Sequence, residues 1–108
     1  MAYNHNLIVL QVKRQLAQNP RSLLSNLAKA LRIDRHMINR AFSARSGLSF
    51  RDYQKDLITK TTICGLHETN LSVKQLAAEI GYGFAQSLSR FVRSATGKTP
   101  KQLRQKKS

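Results

Sequence analysis

Two stretches of the chain, 49 to 50 residues apart, repeat one pattern, and this repeat restricts the fold more than any other feature. Leu27-Ala28 returns as Leu76-Ala77 and Leu31 as Ile80, at a spacing of 49. After one inserted residue the spacing becomes 50, pairing Ile38 with Leu88, Arg40 with Arg90, Phe42 with Val92 and Gly47 with Gly97. Apolar residues recur at helical intervals within each copy. Each copy therefore reads as a short helix, a tight turn and a second helix. The turn is Arg32-Ile33-Asp34 in the first copy and Gly81-Tyr82-Gly83 in the second, where glycine supplies backbone freedom that Arg32 does not.

Helix-start signals fill in the rest, and strand signals are nearly absent. Ser22 stands before a helical run. Asp34 can cap the next helix, with Ile33 and Ile38 as a hydrophobic staple, and Ser49 can cap another with Leu48 and Tyr53. Ser72 with Gln75 and Thr99 with Gln102 have the capping-box spacing, and Pro100 sits at a first helical position that needs no N–H. Gly47 and Gly97 stand where helices close. These signals predict an all-α chain of seven helices, at roughly 6–18, 23–31, 35–46, 50–67, 73–80, 84–96 and 100–105. The arrangement is one domain over 1–108: a first helix-turn-helix subdomain at 6–48, a long linker helix at 49–68, a second subdomain at 69–105 and a basic tail at 106–108.

At 108 residues the chain can form one compact domain or two very small subdomains. Its longest apolar run, Leu7–Leu10, is far below the ~18 residues of a membrane span. One cysteine, Cys64, precludes an internal disulfide and suits a reducing cytoplasm, and three scattered histidines give no metal spacing. No cofactor is expected. The five acids Asp34, Asp52, Asp56, Glu68 and Glu79 form no paired constellation, so an enzyme is a poor reading. Nineteen Lys and Arg against those five give a net charge of +14, divided evenly between residues 1–54 and 55–108. Such a field favours a polyanion, with nucleic acid the leading candidate.

The second helix of each copy has two faces. With Ile38 at the core, Ala41, Phe42 and Arg45 lie near it, and His36, Asn39, Arg40 and Ser43 face away. The same construction around Leu88 buries Phe84, Phe91, Val92 and Ala95, and exposes Gln86, Ser89, Arg90 and Arg93. Arginine can bond both acceptors of a guanine edge, and Asn or Gln can bond adenine. One arginine near a helix C-terminus would ordinarily be a solvated side chain favoured by the dipole. Two at matching repeat positions point to base contact. Lys74, Lys98, Lys101 and Arg104, at helix starts or near the end of the chain, are candidate phosphate contacts, with Arg35 as a further DNA contact. The linker helix would span ~27 Å, comparable with the ~34 Å between major-groove faces on one side of a duplex. Its stripe Phe50, Tyr53, Leu57, Thr61, Cys64 predicts a core role for Cys64, and Gly65 predicts a pivot that alanine would stiffen.

The stretches "LAKALRIDRHMINRAFSARSGLSFRDY" and "LSVKQLAAEIGYGFAQSLSRFVRSATGKTPKQLR" resemble the DNA-binding domain of the AraC/XylS family of bacterial transcription regulators, over about residues 5–105. The resemblance implies two helix-turn-helix subdomains on a linker helix, reading an asymmetric DNA site. It implies base contacts from His36, Asn39 and Arg40, and from Gln86, Ser87, Ser89 and Arg90. Starting at Met1 without a sensor domain, the chain resembles the short, stand-alone MarA/SoxS type, which implies control by abundance rather than by a small-molecule effector. The resulting expectation is a cytoplasmic, nucleoid-associated activator that binds double-stranded DNA as a monomer, with RNA polymerase as a candidate partner. Two alternatives are a low-specificity architectural DNA binder and a protein that modulates another regulator or polymerase.

Overall fold

The computed structural model describes residues 4–105. Seven helices follow one another: α1 (His5–Gln18), α2 (Leu24–Leu31), α3 (Arg35–Ser46), α4 (Phe50–Glu68), α5 (Val73–Ile80), α6 (Ala85–Thr96) and α7 (Pro100–Gln105). No strand occurs among the described residues, so the all-α expectation holds. The basic tail expected at 106–108 lies outside them. The chain clusters into two compact units that divide between Asp56 and Leu57, so each takes its own section of α4.

Local chemistry sets most helix ends. The Asp34 carboxylate accepts the His36 N–H at 2.8 Å, and Ser72 and Gln75 form the reciprocal pair of a capping box. Thr99 and Gln102 do the same, at 2.9 and 3.2 Å. Ser22 does not cap α2. The cap position is Leu23, which offers no side-chain bond, while the Ser22 hydroxyl donates back to the Asn19 carbonyl. The Ser22 carbonyl instead accepts from the Gln54 amide, which also reaches the Pro20 carbonyl, so one α4 side chain holds the α1–α2 turn.

In the first unit α3 packs against both α1 and α2. Val12, Leu16, Ile38, Ala41 and Phe42 are buried, with Phe50 beside them. Phe42 meets the Phe50 ring edge-on at 5.7 Å and the Tyr53 ring at 4.9 Å. The second unit closes Ile58 and Leu66 of α4 around Leu76, Ala77 and Ile80 of α5, Leu88 and Val92 of α6, and Leu103 of α7. The α4 face used here differs from the expected stripe. Ile58, Thr62 and Leu66 are buried, whereas Thr61 and Cys64 are exposed. A buried threonine is tolerated at position 62 because its hydroxyl donates to the Ile58 carbonyl one turn back, at 2.8 Å. Cys64 is therefore a surface residue, not a core filler.

Gly65 belongs to this second unit and is a close-approach glycine. A Cβ placed on it would stand 2.5 Å from Cδ2 of Leu76. Beyond it, the Arg104 guanidinium donates to the carbonyls of Leu66, Thr69 and Leu71, and the His67 ring bonds the Leu103 carbonyl. The Arg104 bonds satisfy carbonyls at and after the end of α4 that the helix itself leaves unpaired, while His67 ties α4 to α7.

Candidate nucleic-acid interface

Each unit contains one helix-turn-helix, α2–α3 and α5–α6, and the two turns use the same hydrogen bonds. The Ile33 N–H reaches the Ala28 carbonyl at 3.1 Å, and the Tyr82 N–H reaches the Ala77 carbonyl at 2.8 Å. This is the Schellman closure, which requires a left-handed residue just after the helix. Gly81 fills that place in the second copy with φ of 112°. In the first copy Arg32 does so, with φ of 58°, the one non-glycine with positive φ among the described residues. The geometry of the turn overrides the side chain's preference there.

The second helices present the expected stripes with several changes. On α3, Ile38, Ala41 and Phe42 are buried, while Arg35, His36, Arg40 and Ser43 are exposed. Arg45, expected near the core, is exposed. Asn39 is half-buried, and its Oδ1 accepts the N–H of Phe50 at 3.0 Å. The oxygen that a bidentate adenine contact would use thus already serves the first turn of α4, where an N–H lacks a helical partner. In the second copy the residue 50 positions after Phe50 is Pro100, which has no N–H, and the counterpart of Asn39 is Ser89. No such bond can form there.

On α6, Leu88 and Val92 are buried, and Gln86, Ser87, Arg90 and Arg93 are exposed, with Ser89 half-buried. Phe91 is half-buried against Tyr82, with rings 6.2 Å apart, and Ala95 is exposed rather than buried. Phe84 departs furthest from expectation. It is the N-cap of α6, not its first residue, with φ −137° and ψ 145°, and it is 75% exposed. A helical wheel places Phe84 one turn before Leu88, but that construction fails for a residue with extended dihedrals. The residue's place immediately after Gly83 was the available signal.

Among the candidate phosphate contacts, Lys74, Lys98 and Lys101 are exposed. Arg104 is half-buried, and its guanidinium is committed to the three carbonyls already described. These bonds tie it to the fold. No three His, Cys, Asp or Glu side chains converge among the described residues, and no described helix is long and apolar enough to cross a membrane.

A sequence-family profile described as a helix-turn-helix domain matches residues 27–106. No curated protein matches the chain significantly. Among solved structures, the C-terminal domain of AraT, a response regulator from Geobacillus stearothermophilus, has a TM-score of 0.79 at 21% identity, covering 91% of this chain and 84% of its own. An AraC-type DNA-binding-domain regulator from Chromobacterium violaceum has a TM-score of 0.72 at 20% identity, covering 91% and 88%. The DNA-binding domain of AdpA, in complex with a target DNA, has a TM-score of 0.76 at 18% identity, covering 91% and 89%. At these identities the likeness concerns the fold. With the profile covering most of the chain and the same two helix-turn-helix units in the structure, the chain belongs to the helix-turn-helix family of AraC-type DNA-binding transcription regulators.

Proposed function

We propose that the protein is a bacterial, cytoplasmic transcription activator that reads two adjacent major-groove segments of double-stranded DNA as a monomer. The observation that carries this reading is the pair of helices α3 and α6, each with a buried apolar side and an exposed side holding an arginine at the same repeat position, Arg40 and Arg90. His36 and Arg40 on α3, and Gln86, Ser87, Ser89 and Arg90 on α6, are the proposed base contacts. Arg35, Ser43, Lys74, Arg93, Lys98 and Lys101 are the proposed further contacts to DNA. The net charge of +14 supplies the sequence-independent attraction. RNA polymerase is the proposed partner in activation, and no small-molecule effector is required.

The reading heads differ in chemistry, since His36 pairs with Gln86 and Ser43 with Arg93 across the repeat. Joined in tandem, they need no two-fold symmetry. The expected site is asymmetric and covers ~20 base pairs, with two segments about 10 base pairs apart. Selection of bound sequences from random duplex DNA, followed by binding measurements on the selected site, tests this. Arg40→Ala should relax preference in one segment and Arg90→Ala in the other, each costing ~1–3 kcal/mol. A palindromic site bound by two chains refutes tandem reading. If both substitutions weaken all sequences equally, the arginines hold phosphates and the protein is an architectural binder.

A further inference from the structure

We infer that Phe84 reads the 5-methyl group of a thymine in the groove segment entered by α6; this rests on the DNA-reading function proposed above. Phe84 is the most exposed of the large apolar side chains among the described residues, at 75%. It also occupies an N-cap, where Ser, Thr, Asp and Asn are preferred because their oxygens accept a free helix N–H. No side chain caps α6. The residue 50 positions earlier is Asp34, which caps α3 through the His36 N–H at 2.8 Å. The same place in the repeat thus has a capped helix start in one copy and an exposed ring in the other.

Neither the solubility of the fold nor the stability of α6 explains that ring, whereas groove chemistry does. The N-terminal residues of a reading helix are the ones that meet base edges. Phe84 precedes the exposed Gln86, Ser87 and Arg90 on that helix. The thymine methyl is the apolar group that a base pair presents in the major groove, and phenylalanine is among the side chains that contact it. A net charge of +14 favours DNA over an apolar protein surface as the partner for this ring. Because Asp34 replaces it in the first copy, the methyl contact is confined to the α6 segment.

The test uses the full chain, the selected duplex, and copies of that duplex in which single thymines of the Arg90-dependent segment become deoxyuridine, which lacks the methyl group. The wild-type protein should lose about fourfold in affinity at one such position, the effect of a single methyl-sized group withdrawn from water. Phe84→Ser should bind the thymine and deoxyuridine duplexes equally, and with a new cap should melt no lower than wild type by circular dichroism. The inference is overturned if Phe84→Ser binds the selected duplex as tightly as wild type, if it retains the deoxyuridine penalty, or if it melts lower. Failure of the underlying function has a separate signature: the wild-type protein would not distinguish the selected duplex from random DNA.

Discussion

Replacing Gly65 by alanine tests the packing of the second unit, because two effects of opposite sign meet there. Glycine inside a helix is less favourable than alanine by about 1 kcal/mol, so an isolated α4 would gain from the change. In the fold, the new Cβ would lie 2.5 Å from Cδ2 and 3.4 Å from Cδ1 of Leu76. Ordinary carbon contacts lie at ~3.5–4.0 Å, so the nearer methyl must move by about 1 Å or more. Leu76 is 4% exposed and packed among Ile80, Leu88 and Leu103, which restricts where that methyl can go. Overpacking of this kind costs roughly 1–3 kcal/mol. The net expectation is a loss of about 1 kcal/mol.

A double-mutant cycle separates the two effects. Leu76→Val withdraws the δ carbons and should itself cost about 1 kcal/mol. In that background Gly65→Ala should recover most of its helix gain, about 1 kcal/mol. The coupling between the two positions is then about 2 kcal/mol, well above the ~0.5 kcal/mol within which independent sites add. Urea unfolding followed by circular dichroism measures all four proteins. A gain from Gly65→Ala in the wild-type background, or an equal effect in both, would falsify the close-approach explanation and restore the view of Gly65 as a flexible point in α4.

Two further expectations concern the first copy. Arg32→Gly should raise stability by up to about 1 kcal/mol in urea unfolding, because the left-handed conformation that Arg32 adopts disfavours a side chain; a loss would mean that the arginine's own contacts outweigh the strain. Asn39→Ala should cost about 1–2 kcal/mol by leaving the Phe50 N–H without its acceptor, with Asn39→Asp retaining most of the stability; equal stability of wild type and Asn39→Ala would remove this hydrogen bond from the account of the fold.

What could be read from the sequence was what depends on neighbours in the chain. The spans of α3, α5 and α7 follow from Asp34, Ser72 with Gln75, and Thr99 with Gln102, whose bonds close within three residues. The outward stripes of α3 and α6 were legible for the same reason, since a buried Ile38 or Leu88 fixes the rest of its helix. Features set by distant partners were not. The Asn39 bond spans 11 residues, and the Arg104 bonds span 33 to 38. On α4, the real stripe runs through Thr62, which hides its polarity by bonding its own helix, and the sequence offered Cys64 as the more apolar choice. Phe84 escaped because one residue separates a cap from a helix, and that residue decides whether the ring is buried or exposed.

The two copies meet the same local demands by different means, and the difference bears on how each could read DNA. The second has Gly81 where the turn needs positive φ and Pro100 where a helix start would otherwise present an N–H. Its backbone settles both points without help from α6. The first has Arg32 held in the left-handed region and Phe50 with an N–H to satisfy, and Asn39 on α3 satisfies it. A polar residue in the middle of the α3 stripe is therefore tied to the fold, while its counterpart Ser89 has no such duty. The stripe on α3 is reduced to His36, Arg40 and Ser43 with Arg35 before them, whereas α6 keeps Gln86, Ser87, Ser89, Arg90 and Arg93. Duplicated architecture does not carry duplicated roles. In this chain the first copy fixes its helix partly with Asn39, and under the proposed function the second leaves its polar stripe to the groove.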